Sequence, residues 1–388
     1  MKYVTLHASS APWCRRRAIV QATVGERHEK DIAPVETRAE GPSRAENAHP
    51  GGPAPPTPFT ESDLALLHAL QLAPRIPWSA LAPVLGASPT ALAARWARLR
   101  ERRLAWLCAS PPSGVGGATA QRALVEVDCA LADLDTVVSA LEALPFVRGL
   151  AFAARGRQLV LTLAASSFAE LSRLLLDEVS RVPGITALRS HLGTMVHRDG
   201  GGWRLGALDP AQCATIGAHP RATRTRAPLT AGPIDLQSPV YAPLVAALAE
   251  DSRTRAVDLA VRTGRPAATI RRQVNRLLGA GALVLRCELA QPWTGRPVAG
   301  VWWCAAPPVR REAALARLCV DPRVRLCLST TGPAALVVTA WTSGLLQADR
   351  FQTRLEELLG AGAVLDSAIL LRTRKRAGRL LAPDGRRA

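Results

Sequence analysis

The sequence predicts an α+β chain in which one composite unit occurs twice: a winged helix-turn-helix module followed by a ferredoxin-like βαββαβ unit. Three observations predict it. Apolar residues recur at helical spacing in three short segments between Phe59 and Leu104, with a glycine turn before the third. An alternation of strand and helix patterns in the order β-α-β-β-α-β then runs from Ala123 to Val196. The whole arrangement returns about 178 residues later.

Residues 1–58 carry no such periodicity. The stretch Glu36–Pro58 mixes Glu, Arg, Ser and Gly and ends in a proline-rich run. It buries too little apolar surface to offset chain entropy, so an unstructured extension is expected. Translation from a start codon upstream of the true one would leave the same composition, and both readings stand.

The first module is expected over 59–110. Thr60 can cap a helix whose apolar face is Leu64, Leu67, His68 and Leu70. A second helix runs from Pro77 to Leu85, and Gly86 permits a tight turn. Ser88 caps a third helix with Pro89 at its first position, carrying Leu92, Trp96 and Leu99 inward. Arg95, Arg98 and Arg102 lie on or beside its other face, and Leu104–Cys108 reads as a strand. In such a module the second helix braces the third, whose first turn and polar face meet the major groove. A plain three-helix bundle with a solvated arginine face would look similar.

The βαββαβ unit is expected over 120–198. Ala123–Cys129 alternates as a strand, with Leu124, Glu126 and Asp128 opposed to Val125, Val127 and Cys129. Ala132–Leu144 is helical. Strands at Val147–Ala153 and Leu159–Leu163 are joined by a turn at Arg155, Gly156 and Arg157. Phe168–Val182 is helical, Pro183 and Gly184 end it, and a strand runs from Ile185 to Val196. Residues 199–238, rich in Gly, Pro, Arg and Thr, read as a linker.

In the second copy Leu259, Ala260, Gly264 and Leu277 repeat Leu81, Ala82, Gly86 and Leu99. Gly332 repeats Gly156, Gly362 repeats Gly184, and Pro322-Val324 repeats Pro145-Val147. A module over 239–290 and a βαββαβ unit over 298–376 follow, with 377–388 as a basic tail. The second recognition helix, Pro266–Leu278, exposes Arg271, Arg272, Asn275 and Arg276, a denser set of base-contacting types than in the first copy.

Composition bears on partners. The formal net charge is +18, which points to a polyanionic partner. Lysine occurs only at Lys2, Lys30 and Lys375, so a GC-rich coding bias toward arginine accounts for part of this charge. The eight cysteines form no C-x-x-C pair and no zinc-finger spacing to histidine, so they read as reduced apolar residues. There is no apolar run of about twenty residues, and no membrane partner is expected. Arg15–Arg17 are not followed by the apolar core of a signal peptide, so a cytoplasmic location is expected.

At the recognition helices the chain resembles the Lrp/AsnC, or feast/famine, family of transcriptional regulators. Residues 86–99 (GASPTALAARWARL) are similar to that family's glycine, capping serine, arginine and leucine in order. Residues 264–277 (GRPAATIRRQVNRL) are similar again and keep a later Gly281, which is Arg103 in the first copy. Gln273 stands where the first copy has Arg95, and Pro266 where it has the cap Ser88. The final strand, residues 369–378 (ILLRTRKRAG), resembles the end of the family's RAM-type ligand-sensing domain. The resemblance covers roughly 60–200 and 239–380. It implies double-stranded DNA as partner, with Ser88, Thr90, Ala94, Arg95, Arg98, Arg271, Arg272, Asn275 and Arg276 as the contacting positions. It implies a small-molecule effector, such as an amino acid, near the turn glycines Gly156 and Gly332. It also implies pairing of the two sensing units as an intramolecular pseudo-dimer, with larger assemblies open. The aspartate often found three residues after that glycine is Leu159 in one copy and Ala335 in the other.

No phosphate loop and no dinucleotide-binding glycine motif occurs. The histidines are scattered, and Ser329-Thr331 before Gly332 reads as a turn rather than a nucleophile. Trp302 and Trp303 read as core or sheet-interface residues. No cofactor, no metal and no enzymatic activity are expected. The alternative is a siroheme-decarboxylase-like tetrapyrrole enzyme, which shares this architecture and would use histidines near the tetrapyrrole. His191 and His197 have no counterparts between Ser367 and Thr373 of the second copy.

Overall fold

The computed structural model describes residues 59–112, 121–220, 222 and 234–388. The expectations for residues 1–58, for most of the loop after Ser110 and for part of the linker lie outside these.

Helices α1 (Glu61–Leu72), α2 (Trp78–Leu85) and α3 (Pro89–Glu101) form the first module. Thr60 and Asp63 make a reciprocal capping box that starts α1, because each satisfies an amide the helix leaves unpaired. Gly86 ends α2 in the left-handed region at φ 60°, where a Cβ would be strained. The Ser88 hydroxyl accepts the Ala91 N–H and starts α3. Strand β1 (Ala105–Ser110) follows.

The first βαββαβ unit comprises β2 (Gln121–Cys129), α4 (Leu134–Ala143), β3 (Val147–Ala153), β4 (Leu159–Ala165), α5 (Phe168–Arg173) and β5 (Ile185–Arg198). The helix expected to run to Val182 changes at Leu174 into one π-type turn ending at Val179. One face of the sheet packs Val125, Val127, Leu161 and Leu163 against Val137, Leu141 and Leu171 of the helices.

The expected linker is largely folded, which corrects the reading from composition. Trp203 is buried in the core of the first module, and α6 (Pro210–Gly217) packs on α1 and α2. Gln212 donates to the Val84 carbonyl at 3.0 Å. His68 of α1 accepts the N–H groups of Ala207 and Leu208 at 3.1 and 3.0 Å. Burial, helped by the Arg204 charge, lowers the His68 pKa to about 4, so the ring is a neutral acceptor.

The second copy repeats the order: α7 (Ala242–Glu250), α8 (Ala256–Thr263), α9 (Ala267–Gly279), β6 (Val284–Leu289), β7 (Val298–Cys304), α10 (Pro308–Leu318), β8 (Val324–Thr330), β9 (Leu336–Thr342), α11 (Leu345–Leu359) and β10 (Val364–Arg376). The expected basic tail is also folded. A short strand, β11 (Arg379–Leu380), pairs with β10, and Leu381 is buried. Arg379 and Arg387 both reach Glu250 at the end of α7.

The two four-stranded sheets join edge to edge. β5 pairs antiparallel with β8, and β10 pairs with β7 on one side and β3 on the other. Eight strands thus close into a barrel in the order β10-β3-β4-β2-β5-β8-β9-β7. Helices cover its outside, and its interior is filled by inward-facing residues including Leu124, Val160, Val301 and Val337. Val160 and Val337 face this interior, but Val338 packs on the helix side with Phe351. Consecutive strand residues point to opposite faces, so Val337 and Val338 could not share one.

Candidate nucleic-acid interface and barrel cavity

Each recognition helix turns its apolar stripe into its own module. On α9 that stripe is Ile270, Val274 and Leu277, all buried. Arg271, Arg272, Asn275 and Arg276 lie opposite it and are exposed. The three arginines form no ion pair with the described residues. On α3 the stripe is Leu92, Trp96 and Leu99, and Ser88, Thr90 and Ala94 are exposed. Arg95 is different. Its Nη1 lies 3.1 Å from Asp63 Oδ1 and 3.4 Å from Thr60 Oγ1. Arg98 joins the same carboxylate at 3.4 Å. Burial would raise the Asp63 pKa, but hydrogen bonds from Thr60 and Arg95 hold it below the usual carboxylate value. Arg95 therefore ties α3 to the start of α1, while the second copy, with Gln273 there, leaves its basic face to solvent.

The two modules are held as a pair. β1 and β6 form an antiparallel two-stranded ribbon, Ala105 opposite Leu289 and Ser110 opposite Val284. The loops before α2 and α8 meet through Arg75 and Arg253. The strand after each recognition helix thus pairs with its counterpart in the other copy.

Between the ribbon and one mouth of the barrel lies a cavity of about 1070 Å³. Thr162 and Thr339, equivalent in the two copies, belong to its wall with apolar residues such as Val160 and Val301. Its lining includes Arg122, Arg148, Arg286, Arg325 and Arg376 with the carboxylates Asp199 and Glu288, and also Lys375, whose Nζ donates to the Glu142 and Leu144 carbonyls at the end of α4. Asp199 pairs with Arg286 at 2.5 Å. Glu288 pairs with Arg325 at 3.2 Å and Arg376 at 3.4 Å. Burial lowers the pKa of Arg122 and of Arg325 to about 10. Glu170, Arg173, Glu178 and Asp235 stand among the remaining lining residues.

The opposite mouth is plugged. Glu126 points into the barrel and takes Arg157 at 2.6 Å, His191 at 2.7 Å and Arg189 at 3.1 Å. Although burial would raise its pKa, His191, Arg157 and Arg189 hold it below the usual value. Arg157 also reaches Asp366 and stacks over Trp303 at 4.4 Å. The sequence-predicted effector residues Gly156 and Gly332 sit in the hairpins at this end, at φ 73° and 91°, and neither lines the cavity. His197 is apart again, 2.8 Å from Ser329 Oγ. The cationic cavity was not legible in the sequence, because its arginines come from strands far apart in the chain.

Among the described residues no group of three or more His, Cys, Asp or Glu could hold a metal ion, and no helix is long and apolar enough to cross a membrane.

Residues 59–100 match the AsnC-type helix-turn-helix domain. No curated protein matches the sequence significantly. Among solved structures, the siroheme decarboxylase NirDL superposes with a TM-score of 0.52 at 14% identity, covering 82% of this chain and 93% of that one. Its complex with an iron-uroporphyrin III analogue matches at the same TM-score and 13% identity, with the same coverage. The AsnC of E. coli aligns to 35% of this chain and 93% of its own, with 15% identity and a TM-score of 0.29. The likeness to NirDL is one of fold, spanning both copies. Residues 59–100 are thus a helix-turn-helix domain of the AsnC type.

Proposed function

We propose that the chain is a sequence-specific DNA-binding transcriptional regulator whose two copies act together as the two halves of a dimer. The observation that carries this reading is the outer face of α9, where Arg271, Arg272, Asn275 and Arg276 stand exposed opposite the buried Ile270, Val274 and Leu277. Arginine and asparagine supply the bidentate hydrogen bonds that read guanine and adenine edges in the major groove. The ribbon of β1 and β6 joins the first module to the second, which supports a reading in which one chain offers two helices to one duplex. The copies differ, so the two half-sites need not be palindromic. Selection from a randomised duplex pool, followed by titration at rising salt, tests the proposal. An enriched motif bound with steeply salt-dependent affinity is the expected result. No enrichment, or affinity indifferent to salt, would refute it.

In this reading the chain is not an enzyme. The described cavity lining holds neither histidine nor cysteine, and His191 and His197 are engaged by Glu126 and Ser329 instead. A siroheme-decarboxylase-type activity would place a tetrapyrrole in the cavity. Titration with iron-uroporphyrin III, followed by its absorbance and by carbon dioxide release, distinguishes the two. Release of carbon dioxide would replace the regulator reading.

A further inference from the structure

We propose that Cys319 and Cys327 are a reversible oxidation site, a dithiol that a hydroperoxide converts to a disulfide within the chain. The fold brings the two together. Cys319 closes α10, and Cys327 lies in the middle of β8. The chain turns back between them, with the Val324 N–H on the Asp321 carbonyl at 3.1 Å. Leu326 and Leu328 pack with Val196, and the alternation of the strand turns Cys327 the other way, into the cluster that holds Ala314 and Leu318 of α10. Cys327 is fully buried there, whereas Cys319 packs on the same cluster and is only half-buried. The Cys327 thiol donates a hydrogen bond to the Cys319 sulfur. One sulfur thus meets solvent, and the other lies against it from inside. Arg198 of β5 holds the turn from the first copy, donating to the carbonyls of Cys319 and Asp321 at 2.5 and 2.9 Å.

Such chemistry needs one accessible thiolate and one neighbouring thiol. The hydrogen bond from Cys327, with the Arg198 charge adding to it, holds the Cys319 thiol below its ordinary pKa against the effect of burial. The same contact, together with burial, pushes Cys327 up, so it keeps its proton. The Cys319 thiolate attacks one oxygen of hydrogen peroxide, the O–O bond breaks and hydroxide leaves. Cys319 is then a sulfenic acid. The Cys327 sulfur attacks the Cys319 sulfur, the S–O bond breaks, and the departing hydroxide takes the Cys327 proton as water. The first hydroxide takes up the proton that Cys319 had released, so two thiols and one peroxide give one disulfide and two waters. Cys213 is the internal comparison. It is the other half-buried cysteine among the described residues, but its sulfur lies 4.0 Å from the Leu208 carbonyl, and burial and Asp209 push its pKa up.

The site is independent of what the helices bind, and no DNA enters its test. The reduced full chain is treated with hydrogen peroxide, blocked with iodoacetamide, unfolded and cut with trypsin. Its targets Arg323 and Arg325 lie between the two cysteines, so the bond appears as two peptides joined by a disulfide. The proposal expects that linked pair, its loss on adding dithiothreitol, and oxidation of Cys319 at least about tenfold faster than of Cys213. In Cys327→Ser, which keeps a hydrogen-bond donor beside Cys319, dimedone should trap a sulfenic acid at Cys319 and no linked pair should form. Cys319→Ser should leave Cys327 reduced at the same dose, and Cys213→Ser should form the linked pair as the unsubstituted chain does. Thermal melts confirm that each variant is folded. Oxidation of Cys213 while Cys319 stays reduced overturns the proposal. So does oxidation of Cys327 in Cys319→Ser at the same rate, or a linked pair that fades on dilution and therefore forms between chains. Conversion of Cys319 to a sulfinic acid in the unsubstituted chain, with Cys327 left reduced, would overturn the disulfide.

Discussion

Arg75 and Arg253 are the same residue in the two copies, and each grips the loop that carries the other. Arg75 donates to the carbonyls of Ser252 and Thr254, the latter at 3.3 Å from Nη2. Arg253 donates to the carbonyls of Pro74 and Ile76 at 3.0 and 3.1 Å. The contact is isologous in form although it lies within one chain. Arg253 has an addition without a counterpart, since its guanidinium stacks on Trp78 at 3.9 Å while the position matching Trp78 is Ala256.

That asymmetry orders two substitutions. Arg253→Ala removes charge-assisted hydrogen bonds and a cation–π contact, and should cost about 2 kcal/mol of stability. Arg75→Ala should cost less, by about 0.5–1 kcal/mol, the worth of the stacking. Urea denaturation of the two variants checks the order, and equal costs would remove the role assigned to Trp78.

Arg95 should behave as a structural residue. Its partner Asp63 is buried and also completes the capping box with Thr60. Arg95→Ala leaves that carboxylate with the more exposed Arg98, and a loss of about 1–2 kcal/mol is expected. Chemical denaturation measures it. Discrimination between DNA sequences should change little, because the guanidinium is held against α1.

His68 gives a pH dependence with a definite sign. Its folded pKa, about 4, lies below the ordinary value of 6.5, so the unfolded chain binds the proton more readily. Stability from this group is present above pH 6.5 and is lost as pH falls toward 4, by at most about 3 kcal/mol. His68→Asn keeps an acceptor near the Nδ1 position and removes the titration. Stability of the two proteins measured between pH 7 and 4 should converge as pH falls. A constant difference would show that the His68 proton plays no part.

Gly193 lies where β5 meets β8. A Cβ there would come within 2.8 Å of Leu328 Cδ1 and 3.1 Å of the Arg122 carbonyl oxygen. Gly193→Val should therefore strain the seam between the two copies and cost about 1–3 kcal/mol. The melting temperature reports it. An unchanged melt would mean that the seam opens readily.

Much of this architecture was written in local pattern. Thr60, Ser88, Gly86 and Gly264 announce helix starts and stops through neighbours within a few residues, and the strands alternate visibly from Ala123 onward. What stayed hidden depends on partners distant in sequence. Trp203 sits in a segment whose Gly, Pro and Arg content reads as a tether, yet its indole donates to the Pro322 carbonyl at 2.8 Å. Residues 377–388 read as a basic tail, yet Leu381 is buried and Arg387 pairs with Glu250, more than a hundred residues earlier in the chain. Arg95 and Arg271 look alike in one dimension, and only the position of Asp63 separates a tie between helices from an open basic face. The cavity is the extreme case. Arg122, Arg148, Arg325 and Arg376 lie on four barrel strands and Arg286 on the ribbon, and no local pattern around any one of them marks the cavity they line together.

The most direct test of the central claim is the affinity of the full chain for a duplex selected from a random pool and for its scrambled counterpart, measured at several salt concentrations. The account predicts tight, salt-steep binding to the selected duplex and weaker binding to the scrambled one. It predicts that Asn275→Ala or Arg272→Ala narrows that preference by on the order of 1–3 kcal/mol, while Arg95→Ala does not. Equal affinity of the unsubstituted protein for selected and scrambled duplexes would contradict it.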